Sequence, residues 1–132
     1  MPDNNQKLSV LLVDDDKFLA DMYAMKFTAS GCDVHACLSV ADALQTLRDG
    51  FKPDAIVFDL LMPDHDGFFL LQSLATENLR RGALLIGLTN ESDETIQAKA
   101  KELGADRLIV KASMIPSEVV NTVEGEIARK RA

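Results

Sequence analysis

The 132-residue chain predicts an α/β fold: a doubly wound, five-stranded parallel sheet with five helices, arranged in three layers. Three observations carry that expectation. Short apolar runs alternate with longer amphipathic segments along the whole chain, as βα units do. The short runs are rich in Val, Ile and Leu without clean alternation, which is how strands covered on both faces read. Right-handed crossovers between successive strands then place helices on both sides of one sheet.

The elements follow in order. A first strand spans about Leu8 to Val13. A helix from Lys17 to about Ser30 carries Leu19, Met22, Tyr23 and Phe27 at helical spacing, with Gly31 as its stop. The second strand covers Asp33 to Leu38. Ser39-Val40-Ala41-Asp42 resembles a capping box and opens a helix to Asp49, ended by Gly50. The third strand, Ala55 to Phe58, follows Pro53. A helix starts near Asp66-Gly67 and runs to about Asn78. The fourth strand is Ala83 to Leu88, the fourth helix Asp93 to Leu103, and the fifth strand Arg107 to Val110. Pro116 suits the first turn of a last helix toward Arg129, which Gly125 weakens by up to about 1 kcal/mol without ending it. No repeat, low-complexity tract or linker interrupts the pattern, so residues 1–132 read as one domain with a core over about 8–130 and a short extension at 1–7. The small doubly wound strand order 2-1-3-4-5, shared with flavodoxin, fits this length.

Composition narrows the function classes. A formal charge of −7 argues against direct nucleic-acid binding, which wants a basic face. The basic end Arg129-Lys130-Arg131 is expected to complement the dipole of the last helix instead. No apolar stretch reaches the roughly 18 residues that a membrane span needs, and Met1 to Lys7 has no apolar core of a secretory signal. No membrane partner is therefore expected, and the location reads as cytoplasmic. Cys32 and Cys37 fall at odd spacing in one strand region and point to opposite faces, as small core residues rather than a disulfide or a zinc site.

The chemistry gathers where strands end. Asp14, Asp15 and Asp16 close the first strand, Asp59 the third, Thr89 the fourth and Lys111 the fifth. In an open parallel sheet these carboxyl ends share one edge, where ligands bind. Two carboxylates about 5 Å apart repel by about 3 kcal/mol at an effective dielectric near 20, a cost that a cation removes. Hard oxygen ligands without strong nitrogen or sulfur donors suit Mg²⁺. A carboxylate beside such an ion can act as a nucleophile toward a phosphoryl group. Lys111 supplies a compact positive charge and the Thr89 hydroxyl a hydrogen bond to a phosphoryl oxygen. His65 reads as an exposed loop residue, and His35 as a strand residue with a partner.

Val10-Leu11-Leu12-Val13-Asp14-Asp15-Asp16, the loop Asp59-Leu60-Leu61-Met62-Pro63-Asp64-His65-Asp66-Gly67, Leu88-Thr89 and Val110-Lys111 together resemble the motifs of the response-regulator receiver domain, over nearly the whole chain. The resemblance implies the flavodoxin-like fold and a phosphorylation-dependent switch rather than a conventional enzyme. It implies that Asp59 takes a phosphoryl group from a sensor histidine kinase or phosphotransfer protein. Asp15 and Asp59 would ligate Mg²⁺ directly, Asp14 mostly through water, and Leu61 through its carbonyl. Thr89 and Lys111 would contact the phosphoryl group. The implied partners are that phosphodonor and a downstream protein, with a phosphorylation-dependent homodimer among the forms the family allows.

Three positions depart from the family's pattern. Leu108 stands where an aromatic switch residue is common, and Asn90 replaces a smaller residue after Thr89. Ala112 follows Lys111 where the family usually has a proline in a cis peptide. Two other readings compete. A haloacid-dehalogenase-type phosphatase also uses an aspartyl phosphate, but wants a second acid where Leu61 stands, together with a cap domain. A degenerate receiver would only bind partners. No output domain is expected after residue 132, so the chain reads as a stand-alone receiver or one cut from a longer protein.

Overall fold

The computed structural model describes residues 7–62, 66–90 and 93–131. Five strands form one sheet in the order β2-β1-β3-β4-β5: β1 (Ser9–Val13), β2 (Asp33–Cys37), β3 (Ala55–Asp59), β4 (Leu84–Thr89) and β5 (Arg107–Val110). Every pairing is parallel, as the βα alternation requires. Five helices connect and cover them: α1 (Lys17–Ala29), α2 (Val40–Arg48), α3 (Gly67–Thr76), α4 (Glu94–Glu102) and α5 (Pro116–Arg131).

Burial on both faces explains the unbroken apolar runs. All residues of β3 and β4 are buried, and alternate side chains enter different cores. Leu11, Val13, Ile56, Phe58 and Leu85 pack with Leu44, Leu47, Leu70 and Leu74 from α2 and α3. Val10, Leu12, Val57, Ile86 and Leu88 pack with Tyr23, Phe27, Val119 and Val123 from α1 and α5. Each of these large side chains stabilises the fold by about 1.5–3 kcal/mol relative to exposure. The cysteines follow the same division. Cys32, which lies just before β2 rather than within it, joins the α1/α5 core, and Cys37 joins the α2/α3 core; both are free thiols.

One chemical device starts four of the helices. Asp16 accepts from the Leu19 N–H, Ser39 from Asp42, Asp66 from Phe69, and Asp93 from Thr95 and Ile96. Asp93 is thus a cap outside α4, not its first residue. Asp49 and Leu103 likewise stand one residue beyond their helices. α3 stops at Thr76, short of the expected Asn78, whose φ of +56° turns the chain out of the helix. α5 runs through Gly125 to Arg131.

One feature differs from the sequence reading at the end of β5, and one left open there is decided. A 3-10 turn covers Lys111–Ser113, where no element was expected. No cis peptide occurs among the described residues, so Lys111–Ala112 is trans. The expected loop residues Pro63, Asp64 and His65 lie outside the described residues, as do Glu91 and Ser92.

Candidate functional site

Strand register assembles the pocket. Val13 lies beside Phe58, Asp59 beside Leu88, and Thr89 beside Val110. Asp14, Asp59, Thr89 and Lys111 therefore end or immediately follow neighbouring strands along one edge. The sequence reading brought these four together, and the structure does too.

The acidic run divides its work. Asp14 is completely buried, Asp15 is exposed, and Asp16 turns away to cap α1. One carboxylate oxygen from each of Asp14, Asp15 and Asp59 lies within 4.8 Å of the others. Asp14 Oδ1 accepts from the Asp16 N–H at 3.0 Å, but its Oδ2 is buried with no hydrogen-bond partner. A buried, unpartnered carboxylate oxygen is costly and asks for a cation. Burial raises the Asp14 carboxyl above its usual range; the Asp16 N–H and Lys111 pull it down, and Asp59 and Asp15 push it further up.

Lys111 is the cation within reach. Its Nζ donates to Asp59 Oδ2 at 2.7 Å and stands 3.7 Å from Asp14 Oδ2. Burial alone would lower the Lys111 ammonium, yet the bond to Asp59 and the charges of Asp59 and Asp14 hold it above its ordinary value. Asp59 is nearly buried, and its Oδ1 accepts from the Leu61 N–H at 3.1 Å. Thr89 is 1 % exposed at the end of β4. Leu61 itself is exposed, so its backbone rather than its side chain belongs to the pocket.

Glycine lets the acceptor strand end be clamped. A Cβ on Gly67 would lie 2.9 Å from the Asp59 carbonyl oxygen and from Leu60 Cα, so only glycine permits α3 to start this close. The Gly67 N–H donates to the Leu60 carbonyl at 3.0 Å, and the Leu60 N–H to Leu88 at 2.9 Å. Tyr23, read from sequence as an apolar position at helical spacing in α1, is buried and also lies in the field of this pocket. Burial raises its phenol, with Lys111 opposing and Asp14 and Asp59 adding to the shift. Only its helical spacing was visible in the sequence, and nothing there reveals that field.

The arrangement can bind a divalent cation beside a nucleophilic carboxylate, with a fixed ammonium opposite. A five-stranded 2-1-3-4-5 parallel sheet with an acidic pocket at its carboxyl edge places the chain in the doubly wound α/β class that binds ligands at that edge. Residues 10–124 match the response regulator receiver domain, and the chain belongs to that family. It is thereby a two-component receiver rather than a haloacid-dehalogenase-type phosphatase.

Known relatives agree. The DNA-binding response regulator MtrA of Mycobacterium leprae is 29% identical over 120 residues, covering 91% of this chain and 51% of that protein. The chain thus spans about half the length of the curated relatives it matches. A putative response regulator from Chloroflexus aurantiacus superposes with a TM-score of 0.81 at 28% identity, covering 93% of this chain and 99% of that one. The Vibrio cholerae chemotaxis protein CheY4 shares the fold, with a TM-score of 0.83 at 22% identity over 91% of this chain and 98% of that one. No helix among the described residues is long and apolar enough to cross a membrane.

Proposed function

We propose that Asp59 accepts a phosphoryl group from a phosphohistidine on a sensor histidine kinase or phosphotransfer protein, and that the modified chain changes its affinity for a downstream protein. The observation that carries this is the 2.7 Å contact of Lys111 with Asp59, in a pocket where Asp14 and Asp15 also converge.

An Asp59 carboxylate oxygen attacks phosphorus, and the bond from phosphorus to the imidazole nitrogen breaks. The imidazole leaves with the electron pair, and Asp59 becomes an acyl phosphate. Positioning and charge neutralisation supply most of the acceleration in such a transfer. In the resting pocket Asp59 and Asp14 favour the charged form of Lys111, which faces the transferring oxygens as a compact cation. The Thr89 hydroxyl donates to a phosphoryl oxygen. The orphaned Asp14 Oδ2 and the converging carboxylates fit Mg²⁺, held by Asp15 and Asp59, by Asp14 mostly through water, and by the Leu61 carbonyl. When bound, the ion neutralises charge on the transferring oxygens. Water later cleaves the acyl phosphate in the same pocket, so the catalysis is the domain's own and turns over no separate substrate.

Exposed Phe18 on α1, Leu61 after β3 and Ile115 before α5 offer apolar surface on the segments that carry the pocket, for a protein phosphodonor. The net charge of −7 favours a protein over DNA as the direct partner of this domain, in the cytoplasm. DNA binding in the longer relatives is a property of those whole proteins. Phosphorylation-dependent homodimerisation is a further arm of the reading, checked by sedimentation with and without beryllofluoride.

Acetyl phosphate with Mg²⁺ should add one phosphoryl group to the protein and none to Asp59→Asn, read by intact-mass spectrometry. Equal incorporation by the variant overturns the assignment.

A further inference from the structure

The β2 edge of the sheet and the helix beside it form a second recognition surface, separate from the Asp59 pocket. Among the described residues β2 pairs only with β1, so its other side is an edge. The Asp33 N–H donates to Leu8, and the Asp14 N–H to the Cys37 carbonyl. In a parallel ladder this assigns Asp33, His35 and Cys37 to β1, and turns the backbone N–H and C=O groups of Val34 and Ala36 outward. Natural edges are usually blunted by Lys, Pro, a bulge or a cover. β2 carries one charge, Asp33 at its start, but has no Lys or Pro, its five-residue register is unbroken, and Ala36 is exposed with only a methyl group to shield its backbone.

Beside this edge runs a groove of about 440 Å³ between His35–Leu38 and one stripe of α2. The stripe is Asp42, Gln45, Thr46 and Asp49, spaced i, i+3, i+4 and i+7. It is polar, while the neighbouring face of the same helix, Val40, Ala43, Leu44 and Leu47, fills the core. Acids thus stand at both ends of a slot whose floor is an unpaired strand edge. His35 leans on Phe51 with ring centroids 5.5 Å apart.

We propose that this edge and groove bind an extended basic segment of a partner protein by strand addition. Main-chain hydrogen bonds to Val34 and Ala36 would supply affinity, and Lys or Arg side chains on the α2 side would meet Asp42 and Asp49. The two acids are separated along the helix by about 10 Å. That lies between the roughly 7 Å and 13 Å separations of same-face residues on a strand, and long basic stems cover the difference. A second copy fits less well, because two chains of formal charge −7 repel and each would bring its own Asp33, Asp42 and Asp49 to the shared edge.

The test uses the full chain with an alternating Lys-Val nonapeptide, and an alternating Glu-Val peptide as control. On saturation with the Lys-Val peptide, amide exchange at Val34 and Ala36 should slow by about tenfold or more, as newly bonded edge amides do. Asp42→Asn with Asp49→Asn should weaken binding about three- to tenfold at low salt, the scale of two exposed charge pairs. The Glu-Val peptide should not compete. Ala36→Pro removes an outward N–H and should abolish binding; if that variant fails to fold, the exposed double Asn variant still decides. No binding of the Lys-Val peptide at millimolar concentration, unchanged exchange at Val34 and Ala36, or equal affinity for the double variant overturns the proposal. So does protection of the same amides by dimerisation without peptide.

Discussion

At the amino ends of the strands, Asp54 accepts from the Ser9 N–H at 2.8 Å and from Arg131 at 2.7 Å. Asp106 accepts from the Leu85 N–H at 2.8 Å and from Arg80 at 2.6 Å, and Arg80 also donates to the carbonyls of Ala83 and Gly104. Lys130 donates to the Gly82 carbonyl. At the carboxyl ends, by contrast, three carboxylates converge, Lys111 reaches only Asp59 and Asp14 among them, and Asp14 keeps an oxygen without a hydrogen-bond partner. The same acidic residue type therefore closes the turns at one end and stores repulsion at the other. That contrast is what a switch needs: a rigid base, and a pocket whose energy a ligand changes.

The largest expected effect tests the stored repulsion. Mg²⁺ should stabilise the protein by about 2.7 kcal/mol at a hundredfold excess over Kd, and Asp15→Ala should lose most of that gain in thermal melts. The single tyrosine, in a chain without tryptophan, gives a second readout, since Tyr23 feels Asp14, Asp59 and Lys111. Its fluorescence should change on Mg²⁺ addition in the parent and not in Asp15→Ala.

Asp14 carries a pH signature of the same effect. Its carboxyl is raised by burial, so the metal-free folded state holds the proton more tightly than the unfolded chain. The stability tied to that group is present below the ordinary carboxylate value near 3.8 and is lost as pH rises through the raised value. Asp14→Asn should remove this loss, raising metal-free stability at neutral pH by about 1–2 kcal/mol while weakening the Mg²⁺ response. A variant less stable than the parent without metal would break the comparison.

The opposite end should behave in the opposite way. Asp106→Ala strips the partner from the buried Leu85 N–H and from Arg80, which should cost about 1–3 kcal/mol whether or not Mg²⁺ is present. A metal-dependent loss would show that the two ends are not separable.

Much of this was legible in the residues. Strand-ending acids, a threonine and a lysine locate the pocket because register in a parallel sheet is set by buried apolar runs, which the sequence displays. The 3-10 turn after Lys111 was not legible, since Ala112-Ser113 carries no strong turn chemistry. Nor was the orphaned oxygen of Asp14: three adjacent aspartates look alike until packing buries one, exposes another and assigns the third to a helix cap. The left-handed Asn78 ended α3 early for the same reason, a backbone choice that side-chain periodicity does not report.

The smallest expected effect concerns how the pocket speaks to its surroundings through β4 and β5. Leu108 lies opposite Gly87 in register, and a Cβ built on Gly87 would fall 2.6 Å from Leu108 Cδ2. The leucine side chain thus occupies the space that another residue at 87 would fill, and it packs against the α2/α3 core. An aromatic switch side chain is absent, and Leu108 has an inward seat already made for it. The change on phosphorylation should then pass through Thr89 into α4, which has Ala100 as its buried residue and leans on α3 through Lys99, 4.4 Å above the Phe68 ring. Beryllofluoride should alter amide exchange in residues 93 to 103, and Lys99→Ala, which deletes a cation–π contact worth about 0.5–1 kcal/mol, should enlarge that change. Leu108→Tyr should leave the phosphorylation rate within about twofold while changing partner affinity or dimerisation, because the larger ring cannot share the Gly87 seat without a shift costing about 1–3 kcal/mol. Unchanged exchange in α4 on beryllofluoride would show that the signal leaves the pocket by another route.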